Sequence, residues 1–157
     1  MDEAREVVSV LTEQEQTLVT AESCTGGLLG ALLTEIPGAS KVYLGGIISY
    51  AYDLKEQCLG VDHDLLEEKG AICPEVAVQM AKGARERFGA DFALSVTGNA
   101  GPGTDPMNPN VGEIYVACGG ECVCSVKGLA LSGNREENRV SACKEAMRLF
   151  LQCCNEI

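Results

Sequence analysis

The sequence has no tryptophan, a single histidine and only 12 basic residues in a chain of 157. Against 23 acidic residues, this leaves a formal net charge of −11. A surface this acidic repels nucleic acid and anionic lipid, so neither is expected as a partner. No apolar run approaches the roughly 18 residues of a membrane span. Residues 1–6 are acidic, unlike the basic start of a signal peptide. We therefore expect a cytoplasmic protein without a membrane partner.

Cysteine is abundant by contrast, with nine residues spread through the chain and no Cys-x-x-Cys pair among them. Scattered cysteines in a chain without an export signal usually serve as small buried apolar side chains. Cys118, Cys122 and Cys124 surround a Gly-Gly turn, where a zinc ion would need a fourth ligand from elsewhere. The sequence therefore predicts neither a metal site nor a cofactor.

The composition is typical of a globular protein, with 46% apolar and 22% charged residues. The length fits a single domain over residues 1–157. Apolar periodicity and Gly/Pro boundaries predict helices over 2–15, 28–36, 53–59, 64–69, 74–88 and 135–154. Strands are predicted over 18–21, 42–50, 92–97, 113–118 and 122–131. This alternation predicts an α/β sheet with helices on both faces, and the final hairpin adds an antiparallel element.

In such sheets the ligand lies beyond the carboxyl ends of the strands, so the loops at those ends are the candidate sites. The first loop, residues 22–27, turns sharply from a strand into a helix and contains two glycines. Its backbone amides and the helix dipole favour an oxyanion or a phosphate. Ser23 and Thr25 could instead be the N-cap of that helix, which is the commoner role for such residues.

Two further strand ends carry polar groups. Tyr50 and Lys55 follow the second strand and could supply a hydrogen bond and a base, although an ordinary surface lysine is the simpler interpretation. Residues 97–103 form a loop whose glycines allow close contact with a ligand, and residues 103–110 could be a flexible lid.

The start of the last helix carries two arginines. Arg135 and Arg139 are four residues apart, so they share a helix face and could grip one phosphate together. The alternative is a pair of surface arginines that bridge to Glu136 or Glu137.

Together these segments resemble the carboxy-terminal domain of the competence/damage-inducible CinA proteins, a family that includes stand-alone nicotinamide-nucleotide amidohydrolases. The resemblance covers nearly the whole chain, and the Ala-Glu-Ser-Cys-Thr-Gly-Gly segment is its most specific part. The matching residues are 20–27 (Thr-Ala-Glu-Ser-Cys-Thr-Gly-Gly), 37–40 (Pro-Gly-Ala-Ser), 45–50 with Lys55, 70–71, 97–98, 100–102, 111–112, and Gly133 with Arg135 and Arg139.

The resemblance implies a three-layer α/β/α sandwich with a mixed, mostly parallel sheet. It also implies hydrolysis of the carboxamide of nicotinamide mononucleotide to nicotinate mononucleotide and ammonia. In the serine–lysine mechanism that it implies, Ser23 is the nucleophile and Lys55 the base. Tyr50 would orient Lys55 or share its proton relay. Larger family members carry an additional amino-terminal domain, so this chain corresponds to their second part.

The resemblance also assigns substrate-binding residues for a pyridine mononucleotide. Amides of the turn formed by Thr25, Gly26 and Gly27 would hold the oxyanion. The ribose phosphate would be held by Thr97, Gly98, Ala100, Gly101, Arg135 and Arg139. We further expect a homo-oligomer, most simply a dimer, because the acidic domain carries an apolar hairpin.

The chain also departs from the family pattern. Tyr52 stands where the family usually has asparagine, Asn99 where it has an aliphatic residue, and Asn134 where it has aspartate. The lysine expected near Pro109 is missing as well. A nucleotide-binding or partner-binding module without turnover is therefore a second hypothesis. A third is a thiol or metal protein in which Cys24 is the reactive group.

Overall fold

The computed structural model describes residues 2–155, so residues 1, 156 and 157 of the predicted domain lie outside the described part. Its helices are α1 (Asp2–Gln14), α2 (Leu28–Thr34), α3 (Tyr52–Leu59), α4 (His63–Lys69), α5 (Pro74–Phe88) and α6 (Arg135–Asn155). Its strands are β1 (Leu18–Glu22), β2 (Tyr43–Ile48), β3 (Phe92–Gly98), β4 (Glu113–Gly120) and β5 (Cys124–Ala130). A short 3-10 turn over Ala39–Lys41 precedes β2.

The five strands form one sheet in the order β2-β1-β3-β4-β5. Strand β1 lies between β2 and β3 and is parallel to both. Strand β4 is antiparallel to β3 and to β5, so β4 alone runs against the other four. The predicted mixed, mostly parallel sheet is confirmed.

Helices cover both faces of the sheet. On one face α1, α2 and α6 enclose a core that includes Leu94 and Val96 of β3. On the other face α3, α4 and α5 pack on small residues such as Ala93. These small side chains let α5 approach the sheet closely. Ser95 of β3 donates a hydrogen bond to the carbonyl of Ala77 in α5 at 2.6 Å. The three-layer α/β/α sandwich is therefore confirmed.

The hairpin and one core residue differ from the sequence-based expectation. Gly119 and Gly120 belong to β4 rather than to the turn. Gly120 lies under the ring of Phe92, where an added Cβ would meet ring carbons at 2.9 Å, so glycine is required there. Helical spacing with Ala77, Met80, Ala81 and Ala84 predicts that Phe88 belongs to the core stripe of α5. Phe88 is instead 44% exposed, because it is the last residue of that helix.

The carboxyl ends of the three parallel strands meet at one edge of the sheet. Glu22, the last residue of β1, lies beside Ile48 of β2 and Val96 of β3. The loops that follow these strands therefore come together, as expected for such a sheet. No helix within residues 2–155 is long and apolar enough to cross a membrane.

Candidate active site

Ser23 and Lys55 form a hydrogen-bonded pair at this edge of the sheet. Ser23 directly follows β1, and Lys55 lies in α3. The Nζ atom of Lys55 donates to Ser23 Oγ at 2.9 Å. The exposed fraction is 7% for Ser23 and 1% for Lys55, so the surface-lysine interpretation is wrong. A hydroxyl and an amine at this distance have the geometry of a nucleophile and its base.

Two backbone carbonyls fix the direction of the Lys55 side chain. Nζ donates to the carbonyl of Ser49 at 2.6 Å and to that of Tyr50 at 3.2 Å. Burial lowers the pKa of Lys55 to about 8, against opposing effects of Cys24 and Asp105. A pKa of about 8 leaves about a tenth of the lysine neutral at pH 7, so a base is present at ordinary pH.

Tyr50 contacts Lys55 through its backbone and not through its phenol. Its side chain is 61% exposed, and its hydroxyl accepts a hydrogen bond from Arg135 Nη2 at 3.4 Å. The expectation that the phenol shares a proton relay with Lys55 therefore does not fit the geometry. Tyr50 orients Lys55 through its carbonyl, which any residue would provide.

The turn after β1 is built around Glu22, a residue that the sequence reasoning missed. Glu22 is buried, with only 2% of the residue exposed. It accepts hydrogen bonds from the Thr25 hydroxyl at 2.7 Å and from the amides of Gly27, Leu29 and Gly30 at 3.1, 2.9 and 3.0 Å. Glu22 thus supplies the acceptor that the first amides of α2 lack. The sequence signal that could have identified this role is an acidic residue immediately before the turn.

This arrangement corrects two expectations for the turn. The N-cap position of α2 is Gly27, and Glu22 rather than a side chain at the cap binds the first amides of the helix, so neither Ser23 nor Thr25 is the N-cap. The amide of Gly26 donates to the carbonyl of Ser23 at 3.0 Å, and that of Gly27 donates to Glu22. Both amides are occupied, so of the three amides predicted to hold the oxyanion, those of Gly26 and Gly27 do not fit this role.

Arg139 serves the same turn from the other side. Its Nε donates to the carbonyl of Cys24 at 3.1 Å and its Nη2 to the carbonyl of Thr25 at 2.7 Å. Arg139 does not line the cavity beside Ser23, whereas Arg135 does. The joint grip of the two arginines on one phosphate stays a prediction, in which Arg135 lines the cavity and Arg139 holds the turn.

A cavity of about 340 Å³ opens beside the serine–lysine pair. Of the predicted site residues, Thr25, Gly26, Gly27, Gly101 and Arg139 are not in its lining, although the Gly101 carbonyl accepts from Arg135 Nη1 at 2.7 Å. The lining residues are Ser23, Cys24, Tyr50, Tyr52, Lys55, Ala71, Ile72, Thr97, Gly98, Asn99, Ala100, Gly103, Thr104, Asp105 and Arg135.

Two of the predicted binding residues are also needed for packing. The hydroxyl of Thr97 donates to the carbonyl of Ala71 at 2.8 Å, so its proton is already used. A Cβ at Gly98 would meet the Cα of Ile114 at 2.5 Å, so the close approach of β3 to β4 requires glycine there. Both residues line the cavity but have structural roles that sequence spacing did not indicate.

The loop after β3 is tied down by residues that the sequence did not single out as partners. The side-chain oxygen of Asn99 accepts from the amide of Asp105 at 2.9 Å. The hydroxyl of Tyr52 donates to the Asp105 carboxylate at 2.7 Å. Two departures from the family pattern thus meet at Asp105 in the wall of the cavity, Tyr52 at its carboxylate and Asn99 at its backbone amide.

The cysteines form no disulfide within the described part of the chain. Among residues 2–155, no group of three or more His, Cys, Asp and Glu side chains is placed to hold a metal ion. Burial raises the pKa of Cys24 to about 11, which keeps its sulfur a thiol near neutral pH. A thiol is a poor nucleophile compared with a thiolate, so the geometry does not favour Cys24 as the reactive group.

The fold and the site define an α/β/α sandwich protein with a buried serine–lysine pair at the carboxyl edge of its sheet. The family model of the CinA C-terminal domain matches residues 2–154, and the chain belongs to this family. A CinA-like protein of Geotalea uraniireducens is 47% identical over 134 residues, which are 85% of this chain and 32% of that protein. A CinA-like protein of Geobacter metallireducens is 44% identical over 142 residues, which are 90% of this chain and 34% of that protein. The chain thus spans about a third of the length of these relatives.

Solved structures agree with this assignment. The competence/damage inducible protein CihA from Agrobacterium tumefaciens is 34% identical with a TM-score of 0.93, covering 97% of this chain and 93% of that one. A competence-damaged protein (CinA) superfamily protein from Escherichia coli is 29% identical with a TM-score of 0.92, and the match covers 96% of this chain and 87% of that one. The family and the fold are therefore shown, whereas these names do not state a reaction.

Proposed function

We propose that this protein is an amidohydrolase that converts nicotinamide mononucleotide to nicotinate mononucleotide and ammonia, as in pyridine nucleotide salvage. The observation that carries the proposal is the 2.9 Å contact between Lys55 Nζ and Ser23 Oγ at the wall of a cavity. An amide is a poor electrophile, so its hydrolysis needs a nucleophile, a base and an oxyanion site. The first two are present as one buried pair.

In the first half of the proposed reaction, neutral Lys55 takes the proton of Ser23 as Oγ attacks the carboxamide carbon. The Cys24 amide directly follows the nucleophile, which is the usual position of an oxyanion donor, so we assign it that role. The tetrahedral intermediate then collapses, its C–N bond breaks, and Lys55 returns the proton to the departing ammonia. An ester between Ser23 and the nicotinoyl group remains.

In the second half, water attacks this ester while Lys55 takes a proton from the water. The bond between the acyl carbon and Ser23 Oγ breaks, and Lys55 returns the proton to the serine. Nicotinate mononucleotide leaves and the pair is regenerated. One lysine therefore serves as base and acid in each half, which a pKa of about 8 permits near neutral pH.

The ribose phosphate would be bound by Arg135, which lines the cavity. The Gly101 carbonyl holds its Nη1 at 2.7 Å, so the guanidinium is oriented before a ligand arrives. A protein with a net charge of −11 can bind a phosphate at such a local cationic group.

Ammonia release from nicotinamide mononucleotide tests this proposal. We expect Ser23→Ala and Lys55→Met each to lower kcat/KM by about 10³-fold or more, because members of such a unit are individually indispensable. Exposed residues of the same types provide matched controls, and Ser40→Ala and Lys82→Met should keep full activity. Thermal melts of all four variants separate loss of chemistry from loss of fold.

A binding module without turnover is the second candidate. The observation that favours it is that Tyr52 and Asn99, both departures from the family pattern, lie in the cavity wall. A rise in Tm with the nucleotide but no ammonia release would support this candidate against the amidohydrolase.

A further inference from the structure

We propose that Asp105 determines specificity in this site: its carboxylate, bound by the Tyr52 hydroxyl on a backbone that Asn99 fixes, selects a ligand whose ring is positively charged over the same ligand with a neutral ring. The inference rests on the proposed function and names the residue that favours the cationic pyridinium ring of the substrate over a neutral ring.

The carboxylate is held in place by groups on two sides. Tyr52 Oη lies 2.7 Å from Oδ1 and 2.8 Å from Oδ2 of Asp105, and it accepts a hydrogen bond from the Ala71 amide at 3.1 Å. The amide of Met107 donates to Asp105 Oδ1 at 2.9 Å. Oδ1 thus lies within hydrogen-bond distance of two donors, the Tyr52 hydroxyl and the Met107 amide. Oδ2 is contacted by the Tyr52 hydroxyl, whose single proton cannot serve both oxygens fully. Acceptor capacity remains on the carboxylate.

Asn99 fixes the backbone on both sides of Asp105. It is 6% exposed, and its side-chain oxygen accepts from the Asp105 amide at 2.9 Å. Its side-chain nitrogen donates to the carbonyls of Asn108 at 3.0 Å and Asn110 at 3.1 Å. The carboxylate is therefore positioned before a ligand arrives, which reduces the ordering cost of binding.

Within the described residues, no cation of the protein forms an ion pair with Asp105. Asp105 is the single acidic side chain among the described residues that line the cavity, where the cations are Lys55 and Arg135. A carboxylate repels a phosphate, so its fitting counterpart in the ligand is a cation. In an oxidised nicotinamide nucleotide that cation is the pyridinium ring, which joins the carboxamide to the ribose.

A cationic ring would also assist the base. The negative charge of Asp105 is one of the effects that raise the pKa of Lys55 against the larger effect of burial. A pyridinium beside Asp105 would offset that charge, so Lys55 would lose its proton more easily when a cationic ligand is bound. Binding preference and base activation thus favour the same ligand class.

The test compares nicotinamide mononucleotide with its reduced dihydropyridine form, which has the same phosphate, ribose and carboxamide but a neutral ring. Dissociation constants are measured by calorimetry in the Ser23→Ala background, which prevents turnover. We expect the oxidised form to bind about tenfold more tightly than the reduced form. Adding Asp105→Asn should remove most of this preference by weakening the oxidised form alone. Asp53→Asn removes the same charge from an exposed residue outside the cavity lining, so it should leave the ratio unchanged.

A second variant, Tyr52→Phe, keeps the carboxylate but removes the hydroxyl that holds it, and should reduce the preference about threefold. The inference is overturned if Asp105→Asn weakens both nucleotides equally, or if the ratio does not change. Ammonia release by the wild type together with equal affinities would overturn this inference alone. An intact charge preference without ammonia release would overturn the proposed function alone, and failure to bind either nucleotide would overturn both.

Discussion

Lys55 experiences two opposing influences that together set its pKa. Burial disfavours the ammonium, whereas the electrostatic effects of Cys24 and Asp105 favour it. The carbonyls of Ser49 and Tyr50 accept hydrogen bonds from Nζ. Burial is the larger effect, and the pKa falls to about 8. The same two carbonyls aim Nζ at Ser23, so the environment that creates a usable base also orients it. A lysine on the surface would have neither property.

The pH dependence of the reaction follows from this lysine. Lys55 must be neutral to accept the proton of Ser23, so kcat/KM should rise with pH and level off above about 8. Below that value each pH unit should cost about tenfold in rate, because the neutral fraction falls tenfold. Ammonia release measured between pH 6 and 9.5 gives the profile.

Asp105→Asn provides a second test of the assignment of this profile to Lys55. Removing a charge that raises the pKa of Lys55 should move the midpoint to lower pH. A rate that stays flat from pH 7 to 9 would show that Lys55 is not the base.

At the scale of secondary structure elements, local patterns predicted most of the fold. Apolar periodicity placed all six helices within two residues at each end, because helix periodicity is a property of neighbouring residues. The sheet direction followed from the alternation of strands and helices. The turn of the β4–β5 hairpin was predicted two residues too early in the sequence. The reason is that Gly119 and Gly120 are residues typical of a turn but belong to β4.

The site was predictable only in part, for a physical reason. Ser23 directly follows β1, and Lys55 lies in the helix that follows β2, so local motifs at two neighbouring strand ends pointed to both. The partners of Arg139 lie more than 110 residues away in sequence, and a shared helix face with Arg135 gave no sign of them. The contact of Tyr52 with Asp105 likewise spans 53 residues. Side-chain contacts of this range depend on packing that periodicity does not encode.

The first turn of α2 depends on Glu22, which gives a prediction for stability. Glu22→Gln keeps the size of the side chain but puts an NH₂ group where one carboxylate oxygen now accepts from backbone amides. We expect a loss of about 2–4 kcal/mol in the free energy of unfolding, because charged hydrogen bonds are lost and a buried donor is left unpaired. Urea denaturation at pH 7 measures it.

Glu35→Gln is the matched control, since Glu35 is exposed at the other end of the same helix. That variant should change the free energy of unfolding by less than about 0.5 kcal/mol. Equal effects of the two variants would contradict the structural role assigned to Glu22.

At the scale of the whole molecule, negative charge dominates and its local exceptions are few. The chain has 23 acidic and 12 basic residues, while the cavity holds the cations Lys55 and Arg135. Ion pairs on the surface, such as Lys69 with Glu75, are exposed to solvent on both sides. Exposed pairs contribute little to stability. We therefore expect the long-range repulsion among the acidic residues to outweigh the stabilisation that these ion pairs provide.

This balance predicts that salt stabilises the fold. Screening weakens repulsion among the acidic residues more than it weakens the few exposed ion pairs. If raising NaCl from 10 to 150 mM increases the free energy of unfolding by about 1 kcal/mol, Tm should rise by about 2–4 °C for a chain of this length. Glu121→Lys, at an exposed hairpin residue, replaces a negative with a positive charge and should reduce this dependence on salt. A Tm that falls with added salt would mean that the surface ion pairs outweigh the net repulsion, and that the acidic excess is locally compensated.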